Sequence, residues 1–232
     1  LHNTDEHKLV DNIFYIVNQL NSGITKITSA EERLRVAELN HEAGNKAKNT
    51  SAYQAAYNYL LHGIELLETA CWQTHYSLSL SLYNKAAEAA YLNKDFEHMD
   101  TLVSTVMQNA KTTLDKVFIH EVRIHAAISQ NNLIDAVMTS LEALKMLGVH
   151  ITSSPGKMRT ILGLAKTRIE TALYKPEKNR ATTTITSPTY SAVMRIIGIA
   201  GYPIYYAMPE LMPFIVFEST HISLKHGIAP VS

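Results

Sequence analysis

The chain has a single cysteine, Cys71, among its 232 residues, and this excludes an internal disulfide framework. A lone thiol fits a reducing compartment, so we expect a cytoplasmic protein. Neither sign of charge is in excess, because 21 lysine and arginine residues balance 21 aspartate and glutamate residues. Nucleic-acid binding normally needs a basic surface, so we expect no nucleic-acid partner.

Long uncharged apolar runs are also missing. The most apolar stretch, residues 193–217, is interrupted by Arg195 and Glu210 and holds three prolines from residue 203 onward. A helix that spans a membrane needs about 20 apolar residues. We therefore expect no membrane insertion and interpret this stretch as a buried helix pair.

The composition that remains is that of a globular protein. Hydrophobic residues make up 46% of the chain and charged residues 18%, and the length is enough to bury a sizeable core. Between residues 43 and 67, small residues occur where two helices would cross closely, and larger apolar residues lie between them. The residues in this pattern are Ala43, Gly44, Ala47, Tyr53, Ala56, Leu60 and Gly63. The pattern is typical of one helix-turn-helix repeat.

Weaker copies of this repeat follow downstream. Ala87 lies 43 residues after Gly44, Met99 lies 43 residues after Ala56, and Ala136 lies 37 residues after Met99. Polar turn sequences at residues 49–51, 93–95 and 130–132 separate the two helices of each copy. Helix pairs that recur at about 40 residues predict an all-α fold, an α-solenoid of tetratricopeptide-like helix-turn-helix repeats, over residues 1–148.

The pattern changes after Gly148. We predict a helix that begins near Pro155, a threonine-rich loop over residues 175–188, and helices over residues 189–207 and 213–226. We interpret residues 149–232 as further helix pairs of the same solenoid, truncated at the C-terminus. The last helix is apolar around much of its circumference, so we expect it to be exposed and to promote self-association.

Two motifs are similar to catalytic signatures but incomplete. Residues 120–123, His-Glu-Val-Arg, are similar to the phosphoacceptor box of histidine kinases, but the usual Thr-Pro does not follow. Pro155-Gly156-Lys157 is similar to the end of a phosphate loop, but Ile151 occupies the position of its first glycine. We interpret both as helix sequence.

The histidine spacing does not favour a metal site either. His120 and His125 are five residues apart, as are His221 and His226. Five residues separate two side chains by about 140° around a helix, which is too far for a shared ion. We therefore predict no catalytic, cofactor-binding or metal-binding residue in this chain.

Five aromatic residues form the one candidate site that the sequence offers. They can line a concave groove for a protein partner, or they can form the core between repeats, and the pattern leaves both interpretations open. These residues are Tyr53, Tyr57, Tyr59, Trp72 and Tyr83.

Residues 37–148, followed by residues 192–197 and 209–214, resemble the tetratricopeptide-like helical region of large bacterial multi-sensor signalling kinases. The most specific marks are residues 52–60 with Gly63, residues 72–91 and residues 223–227. The chain departs from the pattern at residues 202–209 and 228–230. In proteins of this kind, a serine/threonine kinase domain and a STAND or AAA-type ATPase domain precede the helical region, and a GAF sensor domain and a histidine kinase follow it.

The resemblance implies a non-catalytic interaction and relay segment of a signal-transduction kinase. It would need no cofactor of its own and would bind a protein partner or neighbouring domains of the same chain, while the full-length protein would be a kinase with an ATPase domain. The alternative is a free-standing tetratricopeptide-type scaffold for protein assembly. An enzyme is the third possibility, but no set of acid, base, nucleophile or metal ligands has workable spacing. Flanking sequence would separate the first two, and nucleotide binding would test the third.

Overall fold

Helices form the regular secondary structure of the residues that the computed structural model describes, which are residues 12–153, 156–173 and 184–228. An isolated parallel bridge joins Thr184 and Ile228. The all-α prediction is therefore confirmed for these residues. The main helices are α1 (Ile13–Ser22), α2 (Ala30–Asn49), α3 (Tyr53–Leu66), α4 (Tyr76–Leu92), α5 (Phe96–Asn109), α6 (Val117–Ser129), α7 (Leu133–Met146), α8 (Lys157–Leu173), α9 (Pro188–Ala207) and α10 (Met212–His226).

The chain divides into two compact units, Leu1–Ala110 and Lys111–Ser232. Helices α1 to α5 belong to the first unit and α6 to α10 to the second. We predicted a boundary between residues 148 and 149 because the repeat pattern changes there, and this boundary stays a prediction. Pro155, residues 175–183 of the predicted loop, and residues 229 and 230 lie outside the described residues.

Two glycines of the first unit lie at close helix crossings. A methyl group on Gly44 of α2 would lie 2.6 Å from Cγ of Leu60 on α3. One on Gly63 of α3 would lie 2.7 Å from Cδ2 of Leu82 on α4 and 3.4 Å from the carbonyl oxygen of Ala37 on α2. The prediction of close crossings at Gly44 and Gly63 is confirmed, and Gly63 also brings the next hairpin into contact.

The turns between paired helices share one geometry. A single residue takes the left-handed conformation, and the next backbone N–H donates to the carbonyl five residues earlier, which satisfies a carbonyl at the helix end. The left-handed residues are Ser51, Lys94 and Asn131, with φ of 61°, 62° and 58°. They are separated by 43 and 37 residues, the same intervals that the sequence pattern predicts.

Polar side chains of α2 fix α1 and the end of α3. Asn40 of α2 is fully buried, and its side-chain amide exchanges two hydrogen bonds of 2.9 Å with that of Asn21 on α1. The guanidinium of Arg33 donates to the carbonyl oxygens of Leu66 and Glu65 at the C-terminus of α3, at 3.3 and 3.1 Å. Because terminal helix carbonyls have no partner within the helix, this arginine satisfies two of them.

The core of the second unit is built mainly from α6, α7 and α9. Pro203, which lacks a backbone N–H, lies buried within α9, and the helix continues past it to Ala207. Ile215 and Ile222 of α10 join this core. The last helix is thus partly covered, contrary to our expectation, and the most exposed apolar helix is α8.

Replacing Gly63 by leucine is expected to overpack the crossing of α2, α3 and α4 and to lower the free energy of unfolding by about 1–3 kcal/mol. Gly198 of α9 is the matched control, since a methyl group there would contact nothing within 4 Å. Gly198→Ala should leave stability unchanged or raise it by up to about 1 kcal/mol, because alanine favours helix. Urea unfolding of both variants measures the difference. A Gly63→Leu variant as stable as the unmodified chain would contradict the assigned crossing.

Candidate functional site

A row of polar side chains joins α2 to α4 in the first unit, and we refer to it as the polar seam. On each helix these residues are spaced by four and then three positions, which places them on one side of the helix. The polar seam consists of His41, Asn45 and Lys48 on α2 with Ser81, Lys85 and Glu88 on α4.

Two contacts of the polar seam span the same sequence distance. Nε2 of His41 lies 2.7 Å from Oγ of Ser81, and Nζ of Lys48 donates to both carboxylate oxygens of Glu88 at 3.1 and 3.0 Å. Each pair is 40 residues apart. Helices α2 and α4 therefore run in the same direction with matched register, as equivalent helices of neighbouring repeats do.

The polar seam has more positive than negative groups. Nζ of Lys85 also donates to Glu88, at 3.2 Å, so that two ammonium groups share one carboxylate. These three side chains retain only 21–26% of their exposure. Burial lowers the pKa of Lys85, and the charge of Glu88 acts in the opposite direction. Burial, followed by the charge of Lys85, lowers the pKa of His41 and favours its neutral form. This arrangement suits the binding of a carboxylate.

The five predicted groove residues have different neighbours. Trp72 packs against Tyr83 with ring centroids 5.2 Å apart, Tyr59 stacks on Phe14 of α1, and Tyr57 contacts His98 of α5 edge-on. The hydroxyl of Tyr53 is 3.5 Å from that of Ser51. Trp72 and Tyr57 are buried, which is typical of core residues. The partner-binding groove stays a prediction.

The residues of the polar seam did not emerge from the sequence pattern. Their sequence signal is the pairing of unlike polar groups at an offset of 40, such as Lys48 with Glu88. A search for small apolar residues at the repeat period cannot detect this signal, because the positions that carry it are polar.

The histidine of the incomplete phosphoacceptor motif lies in the protein core. His120 of α6 is 1% exposed, and its Nδ1 has no hydrogen-bonding partner. An imidazole in this position cannot reach a phosphoryl donor. His125 is exposed on the same helix, and His221 of α10 contacts the carboxylate of Glu170 at 3.1 Å. Among the described residues, no group of three or more metal-ligating side chains could hold an ion.

Comparison with known proteins gives one informative relative. The chain is 28% identical over 149 residues to hybrid signal transduction histidine kinase G of Dictyostelium discoideum. The match covers 60% of this chain and 4% of the relative, so the chain spans a small fraction of that protein's length. No protein-family model matches the chain, and no solved structure does. The similarity supports a relation to signalling kinases.

The helices also bear on membrane insertion. None of the helices in the described ranges combines the length and apolar character that crossing a bilayer requires. Residues 193–217 lie mainly in α9 and α10, where Ile196 and Ile204 are buried but Tyr205 and Tyr206 are more than half exposed.

Neutralising Glu88 is expected to destabilise the first unit. In Glu88→Gln, the ammonium groups of Lys48 and Lys85 lose the shared carboxylate in a partly buried site, and we expect a loss of about 1–2 kcal/mol. Glu38→Gln is the matched control on α2, because Glu38 pairs with Arg35 at a site where both side chains are at least 42% exposed. That change should cost less than about 0.5 kcal/mol. Equal losses in the two variants, measured by urea unfolding, would argue against the polar seam as a structural element.

The burial of His120 predicts a loss of stability in acid. Burial is the main cause that lowers the pKa of His120 below its ordinary value of 6.5. Below pH 6.5 the unfolded chain therefore binds a proton that the folded chain does not, and stability falls as the pH falls from about 6.5 towards the lowered pKa. Each such proton contributes a slope of at most about 1.4 kcal/mol per pH unit. His120→Leu should reduce this slope in unfolding measured from pH 7 to pH 5, whereas the exposed His125→Leu should not. If both variants keep the slope of the unmodified chain, a group other than His120 causes the loss of stability in acid.

Proposed function

We propose that the chain is a non-catalytic interaction and relay segment of a multidomain signal-transduction kinase, and that the polar seam is its recognition surface. The observation that supports this most directly is the pair of contacts at an offset of 40, His41 with Ser81 and Lys48 with Glu88. Equivalent helices of consecutive hairpins thereby present one continuous side-chain surface. Such surfaces are the binding sites of helical-repeat proteins.

The tetratricopeptide-like assignment is part of this proposal. It is supported by the shared turn geometry at Ser51, Lys94 and Asn131 and by the close crossings at Gly44 and Gly63. One helix hairpin cannot bury its apolar side alone, so stacked copies are needed for a common core. The solenoid of residues 1–148, with further helix pairs over residues 149–232, follows from the same reasoning.

The kinase context is supported by the relative, whose name identifies a hybrid signal transduction histidine kinase. The other modules come from the resemblance alone, and these are the serine/threonine kinase, the ATPase and the GAF sensor. In this proposal the segment holds no cofactor, and the protein that contains it is cytoplasmic. The segment responds to the state of a partner or a neighbouring domain and transmits that response to the kinase.

The charge of the polar seam indicates the chemistry of the group that it binds. Lys48 and Lys85 share the one carboxylate of Glu88, and all three are largely shielded from water. A carboxylate from a partner would compensate the excess positive charge, and it would gain more there than at an exposed lysine because the site is partly desolvated. We therefore propose an acidic protein surface as the ligand of the seam.

Lys85→Met tests this proposal in the full-length protein. The change removes the excess charge and leaves the bidentate pair of Lys48 and Glu88 in place, so the fold should be retained. We expect the rate of kinase autophosphorylation to change by roughly five-fold or more, as coupling between a site and an output commonly does.

Lys145→Met is the control, because Lys145 is an exposed lysine on α7 in the second unit and is not part of the polar seam. The thermal midpoints of the two purified variants should agree with that of the unmodified chain. If both variants phosphorylate at the unmodified rate, the polar seam does not serve signal relay.

A further inference from the structure

Helix α8 presents its apolar side chains outward. Six of its large apolar residues are more than half exposed within a helix of 17 residues. They are Met158, Ile161, Leu162, Leu164, Ile169 and Leu173. At roughly 100 Å² each, they expose an apolar area on the order of 600 Å², which is the size of a functional patch on a monomer.

The side of α8 that packs on α10 is small and polar. A methyl group on Gly163 would lie 2.5 Å from the ring of Phe217, so the helices approach closely at that point. About two helical turns after Gly163, the carboxylate of Glu170 lies 3.1 Å from Nδ1 of His221. A surface helix ordinarily buries its apolar side and exposes its polar side. In α8 the arrangement is reversed.

The exposed apolar residues follow the spacing of a helix-pairing surface. Successive residues are separated by four, three, four and three positions, which is the heptad spacing of a coiled coil. This outer stripe consists of Met158, Leu162, Ala165, Ile169 and Ala172, with Ile161 and Leu173 beside it. Ala165 and Ala172 add little apolar area but allow a second helix to approach closely. The spacing and the alanines favour a helix over a lipid surface as the occupant.

The charges of α8 select among possible helices. The helix has four basic residues and one acidic residue, Glu170, which contacts His221 and lies 4.0 Å from Nζ of Lys166. Lys166 and Arg168 are exposed at positions about 80° on either side of the outer stripe. A second copy of α8 would bring like charges together along the contact, whereas a helix with acidic flanks would pair with them.

We propose that the outer stripe of α8 binds an acidic amphipathic helix of a protein partner. The partner helix would place its own apolar heptad positions between those of α8 and its flanking glutamates beside Lys166 and Arg168. This site lies in the second unit and does not depend on the polar seam of the first.

Binding is measured with two fluorescent helical peptides that share the same leucine and alanine heptad positions. One has glutamate at the flanking positions and the other has lysine. We expect the unmodified chain to bind the glutamate peptide, to bind the lysine peptide at least ten-fold more weakly, and to lose affinity for the glutamate peptide as salt is added. The double variant Leu162→Ser/Ile169→Ser should bind it at least ten-fold more weakly.

Ile134→Ser is the matched control, since Ile134 is a comparably exposed isoleucine on α7. It should bind the glutamate peptide as the unmodified chain does. The substituted positions are exposed, so all variants should keep their thermal midpoint. Leu162→Cys adds a direct measure of exposure, because the natural Cys71 is buried and should react slowly. The new thiol should react rapidly with a maleimide in the free chain and slowly when the glutamate peptide is bound.

Several outcomes would overturn the proposal. They are the absence of peptide binding, equal binding of both peptides, and binding to anionic vesicles without binding to the glutamate peptide. A stable dimer that excludes the peptide in light scattering would assign the outer stripe to a second copy. Slow labelling of Leu162→Cys in the free chain would show that the stripe is covered within the chain itself.

Discussion

The first unit depends on how closely its helices approach at Gly44 and Gly63. At these two points the backbone of one helix lies against a leucine side chain of the next, with no room for a methyl group. This spacing sets where α4 lies relative to α2, and therefore whether Lys48 reaches Glu88 and His41 reaches Ser81. Apolar packing between hairpins thus determines the geometry of a polar surface on their edge.

Local patterns in the sequence carried most of the helix and turn predictions. The turns at Ser51, Lys94 and Asn131 follow from polar residues between apolar runs, and the small residues predict the crossings. The polar seam depends on pairing between separate hairpins, which no local window contains. The periodicity of α8 shows its apolar stripe but not which side faces the core, because its polar side packs on α10 through Gly163 and Glu170. For the same reason, the exposed apolar surface that we expected on the last helix is found on α8 instead, whereas Ile215 of the last helix is buried.

The two candidate surfaces differ in their physics although both have an excess of positive groups. The polar seam is partly buried, and its lysines are held by Glu88, so it suits a few well-placed carboxylates. The outer stripe of α8 is exposed and apolar, and its charges lie at the margins, so it suits a whole helix. A segment with both surfaces could bind two acidic partners in different ways. Binding at the polar seam would depend on the positions of single carboxylates, and binding at the outer stripe would depend on the length of the helix contact.

The equal span of the two seam contacts limits how the chain can change in length. An added or deleted residue anywhere between Lys48 and Ser81 alters the spacing of both pairs at once. Within a helix, one extra residue rotates everything after it by about 100° and would turn the seam residues of α4 away from α2. Insertions are therefore tolerable mainly where the chain leaves helix, as at the exposed residues 68–70 between α3 and the short helix Cys71–Thr74, where length can vary and the register can still be kept.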